Sequence, residues 1–579
     1  MCAIFGIIGS YDLKKVKKAL DLMIHRGRDF QNIVEFRSGV FGFNRLAIEN
    51  VNINMQPLKV ENRIFVFNGE IYNYKNLIKK YNLNVKTEIE VIAKLWEKFG
   101  VDFVKKIEGM FAIAVYDKKL FLFRDEFGKK PLYFTKTGIF ASEIKAILPF
   151  TGKKLNFNAL AEYLAYNSSI APNTIYQEIY KLPAGCYYDG EIKIWYDFER
   201  VENEPCSSGC LKSGHDGKWK KENVCTEVEK LLIKSIKKRL QGDVEIGSLL
   251  SGGVDSSLIG AITSKFQKLK TFSVGYDGYD NYDERNYAKI AAKHINSEHF
   301  EVNFTKNNFF ENFEKTLFYM DEPIADSSFF AARFLAKHIP LKVVLSGEGS
   351  DELFLGYRRY KEYEGFLNAY LPNKKWLKKY LERHYEDIKE WEVFRRFFAG
   401  VDVFRGINET FFQRQINRVL KVRAKEVDYK RFLKGWGSFD FTYFDLKVWI
   451  GEVLLNKLDK MFMSNTIETR SPFLDRDLVN FVFSLEENVR GSEKWIIKEI
   501  AQKYLPGEIV NRRKKGFAFP FLEWLKEENE LKKIVDINRK NKIFNEEYLK
   551  EIIKTGHKRY KQHLWSLYLF SRWYEKEFL

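Results

Sequence analysis

Val244-Glu245-Ile246-Gly247-Ser248-Leu249-Leu250 runs directly into Ser251-Gly252-Gly253-Val254-Asp255-Ser256-Ser257, and this junction decides how the chain folds. The first seven residues read as an apolar strand, the small residues as a tight turn, and Ser256 to Phe266 as a helix. Strand, turn and helix in that order form half of a parallel βαβ unit. Downstream, Thr271 to Tyr276, His299 to Phe304 and Leu341 to Leu345 are further strand candidates separated by helical stretches. Upstream, Val228, Leu231, Leu232, Ile236 and Leu240 fall on one helical face. The region therefore reads as α/β with a parallel sheet, turning mainly helical beyond Gly356.

The first 150 residues follow a different rhythm. Ala3 to Ile8, Gly39 to Ile48, Ile64 to Phe67, Phe111 to Tyr116 and Leu120 to Phe123 are short apolar runs with alternation. Asn68-Gly69 and Phe127-Gly128 read as turn signals between such runs. A mostly β, sandwich-like domain is expected there. Between the two patterns, Glu202 to Asn223 is polar and rich in Gly, Ser and Lys. It reads as a linker or insertion. Its Cys206, Cys210 and His215, with Cys225 just beyond, have none of the usual zinc spacings, so a plain loop is preferred to a metal knuckle.

The chain has 579 residues, more than one core usually supports, so at least two domains are expected. Hydrophobic residues are 45% and charged residues 30%, as in ordinary globular proteins. The formal net charge is +18. A basic balance suits nucleic acid or anionic nucleotides, but the lysines are scattered along helices near Glu, as solvated faces are. No signal-peptide pattern and no run of about 18 apolar residues occurs, so a cytoplasmic protein is expected. Five cysteines do not read as a disulfide framework.

Loss of Met1 would leave Cys2 as the first residue, a thiol and a free α-amine on one residue. The amine, with a near-neutral pKa, can take the thiol proton without a histidine. Met-Cys alone is weak evidence. Its context is Cys2-Ala3-Ile4-Phe5-Gly6, His25-Arg26-Gly27, Asn44-Arg45-Leu46-Ala47-Ile48, Gln56-Pro57-Leu58 and Phe67-Asn68-Gly69-Glu70-Ile71-Tyr72-Asn73. In order and spacing these segments resemble the glutaminase domain of class II, amino-terminal-nucleophile amidotransferases. The resemblance implies an oxyanion hole from the Asn68 side chain and the Gly69 backbone N–H. It implies Arg45 on the glutamine α-carboxylate, and Glu70 with Glu88 on the α-ammonium. Three positions depart from the family pattern: Ala3 for Gly, Arg28 for Pro, and Glu88 for Asp.

In the second half, the small residues of the opening junction let backbone N–H groups face an anion at a helix start. Asp255 is a candidate Mg²⁺ carrier. No Gly-Lys-Ser/Thr closes the loop, so it is not a Walker motif. The Ser-Gly-Gly-Val-Asp-Ser-Ser string resembles the pyrophosphate loop of ATP pyrophosphatases, which leave AMP on their substrate. Phe272-Ser273-Val274-Gly275 ends the next strand. Val343-Val344-Leu345-Ser346-Gly347-Glu348-Gly349-Ser350-Asp351-Glu352 ends another in a second small-residue loop. With Asp321 to Ser327 and Glu468 to Asp475, the whole resembles the asparagine synthetase family.

That resemblance implies ATP contacts from Leu249, Ser251, Gly252, Gly253, Asp255, Ser256, Val274, Ser346 and Gly347. It implies Mg²⁺ on Asp255 and Asp351, Glu348 as base toward ammonia, and Lys494 neutralising phosphate charge. Asn511 to Phe517 would cover pyrophosphate. The implied architecture is an α+β amino-terminal-nucleophile sandwich over 2–200 and a joining segment over 201–224. An α/β ATP pyrophosphatase domain with a helical end follows over 225–579. Expected partners are glutamine and aspartate or another carboxylate, a homodimer being one allowed assembly, with neither nucleic acid nor membrane. A decayed, nucleic-acid-binding relative has only the net charge in its favour, and Cys2, Asn68, Asp255 and Glu348 speak against it.

Overall fold

A computed structural model describes residues 2–53, 55–198, 221–367, 375–383, 387–513, 519–555 and 560–579. The amino-terminal part is built on two six-stranded antiparallel sheets. One is ordered Tyr180–Lys181, Tyr133–Phe134, Ile139–Ala141, Ala3–Ile8, Gly39–Arg45, Phe30–Phe36. The other is ordered Ile192–Ile194, Cys186–Tyr188, Lys119–Arg124, Gly109–Asp117, Arg63–Ile71, Leu58–Val60.

Strand alternation sorts the side chains. Ile4, Phe41 and Phe43 of one sheet meet Ile64, Val66, Ala112 and Ala114 of the other inside the sandwich, in a cluster that also holds Cys2. On the outer face of the second sheet, Phe65, Phe67, Phe111, Ile113 and Val115 pack on helices Tyr74–Tyr81 and Glu88–Phe99. Helix Glu88–Phe99 starts cleanly because Thr87 and Glu90 form a reciprocal capping box.

One turn reading is corrected. Asn68 and Gly69 lie inside strand Arg63–Ile71, paired with Ala112 and Phe111. Gly69 has φ +142°, and a Cβ there would sit 1.9 Å from the Met110 carbonyl oxygen. Glycine is needed for close strand approach rather than for a turn.

The second half contains a five-stranded parallel sheet ordered Glu298–Asn303, Lys270–Gly275, Ile246–Leu249, Val343–Leu345, Glu468–Arg470. The chain builds outward in one direction from Ile246–Leu249, then returns to its other side with Val343–Leu345. The two central strands pair in parallel, Ser248 opposite Leu345. Their following loops therefore share the topological switch point, where α/β sheets bind ligands. Glu468–Arg470 was read as a motif only; it is the fifth strand.

Helix Lys221–Arg239 begins within the segment expected as linker and buries Val228, Leu231, Leu232 and Ile236. Cys225 is buried on it, its thiol pushed up to about 11 by burial, as in a core residue. Cys206, Cys210 and His215 lie outside the described residues. The remainder is helical, ending in Lys561–Phe578. Among the described residues no helix is long and apolar enough to cross a membrane.

The two halves share one apolar core, running from Ala3, Phe5 and Ile7 through Tyr163 and Ile246 to Trp565 and Trp573. Buried ion pairs cross the same boundary. Arg26 pairs with Asp459 through both terminal nitrogens at 2.7 and 3.0 Å, and Lys181 meets Glu322 and Glu452 at 3.1 and 2.8 Å.

Candidate active sites

Strand Ala3–Ile8 opens immediately after Cys2, and strand Arg63–Ile71 carries Asn68 alongside it. The Cys2 backbone nitrogen, the atom that becomes the α-amine once Met1 is removed, donates to Asn68 Oδ1 at 2.9 Å. That bond orients the amide and leaves Asn68 Nδ2 buried with no hydrogen-bond partner. Such an orphaned donor costs roughly 1–3 kcal/mol, which an oxyanion beside the thiol would recover. Burial raises the Cys2 pKa, so the resting sulfur keeps its proton.

Cys2, Arg45, Gly69, Glu70 and Glu88 all line one small pocket of about 60 Å³. Arg45 donates to the carbonyls of Glu49, Asn50 and Val51 at 3.1, 2.7 and 3.0 Å, which fixes the pocket rim. Glu88 Oε1 accepts from the Ile71 N–H at 2.6 Å. Burial and then Glu468 push Glu70 up to about 8, although Arg470 pulls the other way. Burial and then Glu70 hold Glu88 well above the carboxylate range. Two carboxyls that resist ionising together are a receptor for a cation such as an α-ammonium.

Of the departures, Ala3 is fully buried in the shared core and Arg28 is exposed. Glu88 keeps a carboxyl in the pocket.

The second site is a cavity of about 990 Å³ at the switch point. Leu249, Ser251, Gly253, Asp255, Ser256, Val274, Ser346, Gly347, Glu348, Asp351 and Lys494 line it. Gly252, at φ +70°, instead packs on the Tyr287–Ala288 backbone, where a Cβ would lie 2.4 Å from Tyr287. The loop is tied by its own serines. Ser256 Oγ accepts from the Ser251 N–H at 3.1 Å, and Gly253 N donates to Ser251 Oγ at 3.3 Å.

Lys494 Nζ lies 2.5 Å from both Asp255 Oδ2 and Asp351 Oδ1, so the two loops converge on one cation. Two hard carboxylates facing a shared position, beside a cavity for phosphates, fit Mg²⁺. Arg512 reaches the first loop through the Ser251 carbonyl at 3.3 Å and pairs with Glu284. Asn511 to Arg513 line the cavity, whereas Lys514 to Phe517 fall outside the described residues.

Lys457 lies outside every motif, and Arg26 and Arg470 lie within motifs that assign them no role. Lys457 donates to Glu348 Oε1 at 2.8 Å. Arg26 Nε donates to the Cys2 carbonyl at 3.2 Å while its other nitrogens hold Asp459. Arg470 stands between the sites: its Nη2 lies 3.8 Å from Glu70 Oε1, and its carbonyl accepts from the Ser346 N–H at 2.9 Å. The available signal was charge inside an apolar helix, Lys457, Asp459 and Lys460 among Val453 to Phe462.

Comparison with known proteins finds one family match in each half of the chain. Residues 227–575 match the asparagine synthase family and residues 1–196 the glutamine amidotransferase domain. The chain is 27% identical to asparagine synthetase [glutamine-hydrolyzing] 1 of Bacillus subtilis, over 99% of this chain and 96% of that protein. It is 34% identical to putative asparagine synthetase [glutamine-hydrolyzing] 2 of Methanocaldococcus jannaschii, over 64% of this chain and 77% of the other. Asparagine synthetase B [glutamine-hydrolyzing] of Escherichia coli is 26% identical over 91% of this chain and 84% of its own length. The chain belongs to the asparagine synthase family, ATP-dependent ligases that take nitrogen from glutamine.

Proposed function

We propose that this enzyme is a glutamine-dependent asparagine synthetase whose acceptor is the side-chain carboxylate of aspartate. Residues 2–200 act as glutaminase, 225–579 as synthetase, and 201–224 join them. The reading rests on one observation above the others: a single chain encloses a small pocket lined by Cys2, Arg45, Gly69 and Glu70 and a phosphate-loop cavity with Glu348, Asp351 and Lys494. Relatives named asparagine synthetase support the general reaction, and aspartate is the simplest acceptor for it. Working with ATP and glutamine, the enzyme belongs in the cytoplasm.

In the amide pocket, Arg45 takes the α-carboxylate of glutamine, and Glu70 and Glu88 take its α-ammonium. The Cys2 thiolate, its proton passed to the α-amine, attacks the amide carbon. Asn68 Nδ2 and the Gly69 N–H hold the oxyanion; the C–N bond breaks as the Cys2 α-ammonium returns its proton to the nitrogen, ammonia leaves, and water hydrolyses the thioester to glutamate and free thiol.

In the cavity, Leu249 and Val274 flank the adenine. The N–H groups after Leu250, with Ser251, Gly253, Ser256, Ser346 and Gly347, receive the phosphates. Mg²⁺, when bound to Asp255 and Asp351, neutralises phosphate charge. Lys494, which here bridges those two aspartates, supplies positive charge as the acceptor carboxylate attacks the α-phosphorus and pyrophosphate departs. Ammonia then forms a C–N bond at the activated carbon, the C–O bond to AMP breaks, and Glu348 accepts the proton lost by nitrogen.

The same residues would serve a different carboxylate acceptor, and a cavity of about 990 Å³ admits one larger than aspartate. AMP formation with glutamine, Mg-ATP and aspartate, compared with a panel of other carboxylates, tests the assignment. Fastest turnover with aspartate is expected. No aspartate turnover alongside intact glutaminase would sink it.

A further inference from the structure

Along the phosphate-loop cavity runs a buried helical stretch, Phe439–Asp445 continued by turns that widen into π-helix at Leu446–Leu454 and Lys457–Met461. Such widened turns are rare and gather at functional sites. Side chains two apart on a helix point to nearly opposite faces. Asp459 accordingly faces the amidotransferase half, where Arg26 holds it at 2.7 and 3.0 Å. Lys457 faces the cavity, which it lines together with Glu348. The Arg26 clamp therefore fixes the turn from behind and sets where the lysine ammonium sits in front.

Lys457 is 5% exposed, and burying an ammonium costs several kcal/mol unless a carboxylate meets it. Glu348 does so at 2.8 Å. Glu352, the next carboxyl along, is otherwise occupied: it accepts from Tyr357 at 2.7 Å, and Trp449 donates to that hydroxyl at 3.2 Å. Burial pulls the Lys457 pKa down, but Glu348 and then Asp326 outweigh it, so the residue stays charged.

We propose that Lys457 is a positioning residue of the amidation step. It holds Glu348 Oε1 and turns the second carboxylate oxygen to the nitrogen that attacks the activated acid. This inference rests on Glu348 acting as the base in the function proposed above. Adenylation needs no proton at Glu348, so the two half-reactions should separate. A carboxylate displaced by about 1 Å loses on the order of 10²-fold in rate.

Lys457→Met and Lys457→Arg are compared with wild type, using aspartate or whichever carboxylate of the panel drives wild-type AMP formation. Lys457→Met should lower kcat for amidation from free ammonia by about 100-fold. Acceptor-dependent exchange of pyrophosphate into ATP should stay within about three-fold, and Cys2 glutaminase should be unchanged, which reports intact folding. Lys457→Arg should recover at least a tenth of the amidation rate. In a Glu348→Gln background, Lys457→Met should add little.

An equal fall in exchange and amidation would overturn the proposal, as would unchanged amidation. So would a raised KM for the acceptor at unchanged kcat, which would make Lys457 a substrate ligand. If Glu348→Gln itself leaves amidation intact, the base assignment fails and this inference falls with it. If Glu348→Gln is damaging and Lys457→Met is not, only this inference fails.

Discussion

In the proposed glutaminase, Asn68 would serve nucleophile and oxyanion with one side chain: Oδ1 accepts from the Cys2 nitrogen, and the buried Nδ2, which has no partner, would meet charge that exists only after attack. Asn68→Ala should lower glutaminase kcat by roughly 10²–10³-fold, as loss of one oxyanion donor does, while ammonia-supported synthesis persists. Steady-state assays with glutamine and with ammonium salts check both halves. The neighbouring carboxyls give a pH signature. Glu70, pushed up to about 8, is protonated at neutral pH in the empty pocket. An α-ammonium prefers the ionised carboxylate, so glutamine binding should release a proton. Calorimetry on Cys2→Ala should show glutamine affinity rising by at most about tenfold per pH unit up to about 8, then levelling. Glu70→Gln should flatten that slope. The sign for folding is opposite: the folded chain binds the proton more tightly than the unfolded chain, so this group's contribution to stability declines from about pH 4.5 to 8. These residues were legible because Asn68-Gly69-Glu70 and the serine–glycine loops are local strings. Lys457 was not, because its partner lies 109 positions away and only the fold joins them.

At the scale of elements, the regular strands and helices were readable and the short or strained ones were not. Alternating runs such as Phe111 to Tyr116 reported themselves because each buries both faces. Glu468–Arg470 has three residues, too few for a period, and exists as a strand because it pairs with Val343–Leu345. Asn68-Gly69 misled for a physical reason: the dipeptide that suits tight turns also suits a strand whose neighbour presses against it. Gly69→Ala should therefore destabilise the chain by more than about 1 kcal/mol, since its methyl meets the Met110 carbonyl and its φ is unfavourable for alanine. A lower urea midpoint, with glutaminase lost before ammonia-supported synthesis, is the expected result. Arg26 is the larger hazard. Arg26→Met strands Asp459 and Glu143 without their shared guanidinium in a buried site, at about 3–5 kcal/mol. Both activities should fall together on mild heating, because one guanidinium holds the Cys2 carbonyl, Glu143 and the Asp459 turn that carries Lys457.

For the whole molecule, the two-part organisation was visible in the change from strand alternation to helical periodicity, but the depth of the union was not. Sequence suggests two domains joined by a polar segment and says nothing of their contact, whereas the apolar core is continuous across them. Helix Phe157–Tyr166 belongs by sequence to the first half, yet Tyr163 donates to the Ser566 carbonyl at 2.7 Å and packs on Phe570. Residues 2–198 expressed alone would expose that helix, and buried Lys181 would lose Glu322 and Glu452. We expect that fragment to aggregate or to unfold well below the temperature of the intact chain. Because the union is noncovalent and extensive, the joining segment should be dispensable. Residues 2–198 and 221–579 produced together as two chains should co-purify as one complex with glutamine-dependent AMP formation within a few-fold of the intact enzyme. Size-exclusion chromatography and the activity assay decide it. A stable, glutaminase-active 2–198 fragment that ignores its partner would show that the shared core contributes little to either half.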